Sequence, residues 1–98
     1  MNIQLNKFGT TLISRQLGKE SFAAFSPVIK DVPIDEVVII DFDGIDTFAP
    51  SWGDEFLTPL YHKHGDNLVL KNTNNQSVIA TIKILERTNE MKFNVDLE

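Results

Sequence analysis

The sequence predicts a small α/β domain whose strands run mostly parallel, and two observations carry that prediction. A β-branched run, Val37, Val38, Ile39 and Ile40, ends in acid and glycine at Asp41, Asp43 and Gly44. Unbroken apolar runs of this kind suit a strand covered on both faces, the habit of parallel sheets. Strand-like and helix-like segments then alternate along the chain in the order β-α-β-α-β-α-β, which implies parallel strands joined by right-handed crossovers.

The elements follow in order. Ile3, Leu5 and Lys7 alternate with polar residues and predict a first strand ending at Phe8 and Gly9. Thr10 and Thr11 are placed to cap a helix beginning near Leu12, with Leu12, Ile13, Leu17, Phe22 and Phe25 on one face. Gly18 costs that helix about 1 kcal/mol relative to alanine. Ser26-Pro27 should end or kink it, because proline disfavours a helical residue before it. Residues 31–35, with Pro33, read as a loop, and the central strand spans 36–42.

A second helix is expected from Ser51 to His64, closed by Gly65 at its C-cap, with Pro59 bending its axis. Trp52, Phe56, Leu57, Leu60 and Tyr61 form its stripe. Leu68, Val69 and Leu70 make a short buried strand within 67–71, and the Asn-Thr-Asn-Asn run at 72–75 is turn and cap chemistry. A third helix covers 76–87 through Val78, Ile79, Ile82 and Leu85. Met91, Phe93, Val95 and Leu97 alternate as a last strand that could join either edge. The first strand could pair in either direction.

Bulk properties exclude several functions. With 98 residues, 42% of them hydrophobic, the chain is expected to form one domain, too short for a two-domain enzyme with a cleft between halves. Its 9 basic and 14 acidic residues give a net charge of −5, and the basic ones are scattered, which argues against nucleic acid as a partner. The chain has no cysteine, so disulfides, thiolate metal sites and a Cys nucleophile are absent. No apolar run approaches the length of a membrane span, and the polar start is not a signal peptide. A cytoplasmic protein without membrane attachment is the expectation.

Asp41-Phe42-Asp43-Gly44 after an apolar run looks like the first motif of haloacid-dehalogenase-type phosphatases, with a nucleophilic and an acid/base aspartate around magnesium. The alternative function is therefore a small magnesium-dependent phosphohydrolase using Asp41 and Asp43. Against it, 40 residues precede the motif, Ile45 stands where Thr or Ser is usual, and no late acidic pair follows. A structural metal held by Asp41, Asp43, Asp46 and Asp54 does not match the spacing of calcium loops. His62 and His64 are two apart on a helix, pointing in different directions, so no metal is expected there. His64 suits the helix C-terminal dipole instead.

Ser51 with Asp54 three residues on reads as a capping-box-like pair. Trp52, beside Phe48 and Pro50 in the first helical turn, is expected to stand half exposed and to join them and Ser51 in an interaction patch, tryptophan being enriched in binding hot spots.

ISRQLGKE, VVIIDFDGIDTFAPSWGDEFL and NLVLKNTNNQSV, within residues 12–85, together resemble the bacterial STAS-like domains of unknown function, small relatives of the anti-sigma factor antagonist fold. The resemblance implies a sheet of about four strands with helices packed against it, and a regulatory interaction role without catalysis or cofactor. The Asp-Ser-Ser-Gly turn of classical antagonists falls on Ala-Pro-Ser-Trp at 49–52, which puts Ser51 at the phosphorylatable position. Ala49 replaces the acid and Trp52 the glycine. By the same resemblance the partner is a histidine-kinase-type ATPase or a serine kinase in a bacterial or phage setting. The expected contact residues are Phe48, Pro50, Ser51, Trp52, Asp54 and Glu55. A phosphate on Ser51 would meet the helix dipole but lie near Asp46, Asp54 and Glu55, whose repulsion should offset much of the gain. The sequence leaves oligomeric state and nucleotide binding open.

Overall fold

The computed structural model describes residues 1–96. These form strands β1 (Asn2–Gln4), β2 (Thr11–Leu12), β3 (Val38–Asp41), β4 (Thr47–Phe48), β5 (Leu68–Lys71) and β6 (Asn94–Val95). Helices α1 (Arg15–Ile29), α2 (Pro50–His64) and α3 (Gln76–Asn89) alternate with the strands of the main sheet. That sheet has four strands in the order β1-β3-β5-β6, all parallel, so the first strand takes the parallel option and the last joins the β5 edge. The fold is the mixed α/β arrangement expected. Leu97, assigned by its alternation to the last strand, lies outside the described residues.

The strand interiors alternate instead of being covered twice. Ile3, Val38, Ile40, Leu68 and Leu70 are buried in one core with Phe25, Trp52, Phe56, Val78 and Leu85. The register sets Asn2, Ile39, Val69 and Asn94 side by side on the opposite face, where Ile39 and Val69 are half-buried and the two asparagines exposed. The apolar run of β3 thus builds a sheet with one covered and one open face, contrary to the two-sided burial its composition suggests.

Three further departures follow. Thr11 and Leu12 do not begin a helix; they pair in parallel with Thr47 and Phe48 as a second, two-stranded sheet. α1 starts three residues after Leu12, capped by Ser14, whose Oγ accepts the Leu17 N–H at 3.2 Å. It runs through Pro27 to Ile29. Proline near the end of a helix removes only one late hydrogen bond, and the Lys30 N–H still reaches the Ser26 carbonyl at 3.0 Å. The first strand is also shorter than its alternation suggests, because Leu5–Phe8 turn into a 3-10 helix with Leu5 buried. α2 ends at Gly65 as expected, where φ of +55° is a conformation that favours glycine. α3 begins on Asn75, whose Oδ1 accepts the N–H groups of Ser77 and Val78.

Candidate partner-docking surface

The first turn of α2 is positioned by β4, and β4 is held from two sides. On one side the Ala49 N–H donates to the Leu12 carbonyl at 2.9 Å, continuing the pairing with β2. On the other, the Ser77 hydroxyl accepts the Phe48 N–H at 2.8 Å and donates to the Phe48 carbonyl at 3.1 Å. Thr81 donates to the same carbonyl. Asn75 adds side-chain bonds to the Ile45 and Asp46 carbonyls, both 3.1 Å. The entry into α2 is therefore fixed by α3 and its cap.

α2 begins at Pro50, one residue earlier than the Ser51 cap predicts. Ala49 is the N-cap and offers no side-chain acceptor, while Pro50 occupies the first position, where its missing N–H costs nothing. The capping-box reading of Ser51 and Asp54 is corrected accordingly: Ser51 is the second helical residue. Its half-buried hydroxyl makes no hydrogen bond among the described residues. Asp54 turns elsewhere, accepting from the Thr58 hydroxyl at 2.9 Å. The helix start is left without a capping side chain, an electropositive end at half-buried Pro50 and Ser51.

The aromatic residues around this helix start face in. Trp52 is 1% exposed, stacked on Phe56 with ring centroids 5.0 Å apart and an interplanar angle of 19°. Phe48 is equally buried, edge-on to Trp52 at 5.9 Å and to Phe42 at 5.0 Å. Both were expected at a contact surface, and both are core; the helix period that turns Phe56 inward turns Trp52, four residues before it, the same way. Of the six expected contact residues, Pro50, Ser51, Asp54 and Glu55 remain accessible, each half-buried.

The structure brings three residues to this surface that the sequence did not single out for it. Arg15, in the first turn of α1, places Nη1 3.2 Å from Asp54 and 2.5 Å from Glu55. These hydrogen bonds, the one to Glu55 foremost, raise the guanidinium pKa above its ordinary value. Ile13 and Leu17 flank Arg15, and both are more than half exposed at 52% and 56%, against the expectation that they line the inner face of α1. Ser14 is the N-cap of α1, so Ile13 precedes the helix. Arg15 thus offsets part of the negative charge of Asp54 and Glu55 next to Ser51.

A second polar cluster sits where β3 ends. Asp41 is buried, its Oδ1 accepting from Asn72 Nδ2 at 2.7 Å and from the Asp43 N–H at 2.9 Å, its Oδ2 from Gln4 Nε2 at 3.2 Å. Burial pushes the Asp41 carboxyl up, but the bonds from Asn72 and Asp43, the charge of Lys71 and the Gln4 bond outweigh it and hold the group below the usual carboxylate range. Both oxygens are thus engaged in tying β1, β3 and the 72–75 turn together. That is the geometry of a structural anchor. Among the described residues no three His, Asp or Glu side chains converge as a metal site, the four aspartates weighed above included. His64 is the last residue of α2, as expected, but it is buried, and among the described residues neither ring nitrogen has a hydrogen-bond partner.

Comparison with known proteins places this geometry in a family. A model of the STAS-like domain of unknown function matches residues 24–78, more than half of the 98-residue chain. The chain belongs to this family. The matched segment of this STAS-like domain takes in β3, β4, α2 and β5, including the expected VVIIDFDGIDTFAPSWGDEFL and NLVLKNTNNQSV stretches. ISRQLGKE, near the start of α1, falls outside it. Searches of curated proteins and of solved structures gave no match. No helix of the described residues is long and apolar enough to cross a membrane.

Proposed function

We propose that this chain is a single, non-catalytic STAS-like regulatory domain of the anti-sigma factor antagonist kind, working in the cytoplasm of a bacterium. It binds a protein partner through the first turns of α1 and α2. The partner class the family likeness suggests is a histidine-kinase-type ATPase or a serine kinase. Nucleic acid and membrane are not partners in this reading.

One observation carries the proposal: an uncapped helix start at Pro50 and Ser51 lies beside two exposed apolar residues, Ile13 and Leu17. Unsatisfied N–H groups donate to a partner's carboxylate or carbonyl, while exposed aliphatic side chains supply the area that a contact needs. Arg15, Asp54 and Glu55 surround them with charge that sets register more than affinity. Ser51 is the regulated position. A phosphate on it occupies the open helix end and draws Arg15 from Asp54 and Glu55, so the surface a partner reads changes in both shape and charge.

The test uses the full chain as bait in lysate of its native host, beside Ser51→Asp and Leu17→Lys variants. Recovery of one ATPase or kinase by the parent chain, lost with both variants, supports the reading. The same set of proteins on all three baits defeats it.

A further inference from the structure

We infer that the outer face of α1 is a self-docking surface, on which a second copy of this chain pairs antiparallel. Leu17, Ser21, Ala24 and Val28 recur along α1 at i, i+4, i+7 and i+11, so they share one face of the helix. The inward face is a different one: Gly18, Phe25 and Ile29 are buried on it, and Phe22 packs against the core. Leu17 and Val28 are 56% and 53% exposed, Ala24 is exposed and Ser21 half-buried. The described residues therefore leave the outer stripe uncovered.

The order of side chains along the stripe selects the occupant. Its steps of four, three and four residues read the same in both directions, and so do the sizes: large, small, small, large. Steps of three and four are those of a coiled-coil seam. Laid antiparallel on itself about a two-fold axis midway between Ser21 and Ala24, the stripe sets Leu17 against Val28 of the second copy and Ser21 against Ala24. The symmetry makes each pair twice, which is the self-complementarity a two-fold dimer needs. The small residues let the backbones approach at the centre, and the large ones close the two ends.

Charge agrees with this pairing. The stripe itself carries no ionised side chain. Glu20, beside it, accepts from Gln16 Nε2 at 2.7 Å, and the two-fold register sets it opposite Pro27, not opposite a second carboxylate. Asp31, exposed just past the helix, comes to the N-terminal end of the other α1, whose first turn holds no acidic residue. Area sets the strength. The 15 residues of α1 span about 22 Å, and one helix pair of that length stays below the roughly 1,200 Å² in total at which stable interfaces begin. The pairing is therefore weak and reversible, with a dissociation constant on the order of 0.1–1 mM. Leu17 also belongs to the docking surface, so, resting on the proposed function, a second copy and a partner exclude one another.

The test uses the purified full chain alone, so its failure is distinct from a failure of the partner reading. Sedimentation equilibrium at loadings from about 0.05 to 2 mM should show a monomer–dimer equilibrium. Ala24→Glu, a change at an exposed position, sets two carboxylates beside the two-fold axis and should weaken the dimer at least about tenfold. An equimolar mixture of Ala24→Glu and Ala24→Lys chains should regain it. Because the chain has no cysteine, single thiols report the direction of pairing. Leu17→Cys and Val28→Cys chains, mixed and oxidised, should link to each other, while either alone should stay largely unlinked. A monomer throughout the range, an unchanged Ala24→Glu chain, a mixture that does not regain the dimer, or Leu17→Cys chains that link to themselves as readily would each overturn the inference.

Discussion

Gly18 rests directly on the backbone of Trp52: a methyl group at Gly18 would stand 2.8 Å from the Trp52 carbonyl oxygen and 2.9 Å from its Cα. The two helices that carry the docking surface therefore touch main chain to main chain at this point. Glycine lowers helix propensity, yet here it sets the distance between α1 and α2.

Gly18→Ala is expected to destabilise the domain by about 1–3 kcal/mol despite the better helix former, because the obstructing atoms are backbone and cannot rotate away. Urea unfolding followed by circular dichroism measures it. A neutral or stabilising result would mean that the helices separate at no cost.

Trp52→Ala should act as a core lesion. Removing a buried indole that stacks on Phe56 and abuts Phe48 and Phe8 costs about 3–5 kcal/mol. Ser51→Asp, one residue away but half-buried and unbonded, should lie within about 0.5 kcal/mol of the parent. The contrast in melting temperature between neighbouring residues checks the assignment of core and surface.

His64 predicts acid sensitivity. Burial, and next the charge of Lys63, push its imidazole below the ordinary value of 6.5; the Ile34 backbone and Glu36 oppose them without cancelling the shift. The native state therefore resists a proton that the unfolded chain accepts, so stability falls as pH drops below about 6.5 towards the lower folded value. His64→Leu should flatten that slope and come close to the parent near neutral pH, since neither ring nitrogen has a partner within hydrogen-bond geometry among the described residues. Unfolding free energies measured at several pH values between about 5 and 7.5 decide it.

Asp41 acts at lower pH. Its folded pKa lies below the ordinary 3.8, so the carboxylate contributes stability that is present above that value and is lost as pH falls through the folded one. Asp41→Asn presents an amide to donors that need acceptors and should cost about 1–3 kcal/mol at neutral pH. The same variant should show no change in hydrolysis of a generic phosphate ester with magnesium, measured beside the parent chain.

What the sequence made legible was local. Val37 to Ile40 could be read as a strand because β-branched residues crowd there, and Asn75 as a cap because its side chain bonds N–H groups two and three residues ahead. Thr11 misled because its partner, Thr47, is far along the chain, and long-range pairing leaves no periodic trace. Ser51 misled because Pro50 reads as part of the turn before α2 and is the first residue of the helix, while Trp52 follows the stripe it shares with Phe56 into the core. Arg15 could be seen as a scattered cation; that it bridges two carboxylates about forty residues away depends on the approach at Gly18.

The buried indole is also the chain's one tryptophan. Its fluorescence should therefore be blue-shifted in the native state and move to longer wavelength when the aromatic cluster comes apart. Because the next residue is Ser51, the same emission reports on whatever happens at the start of α2, without a label.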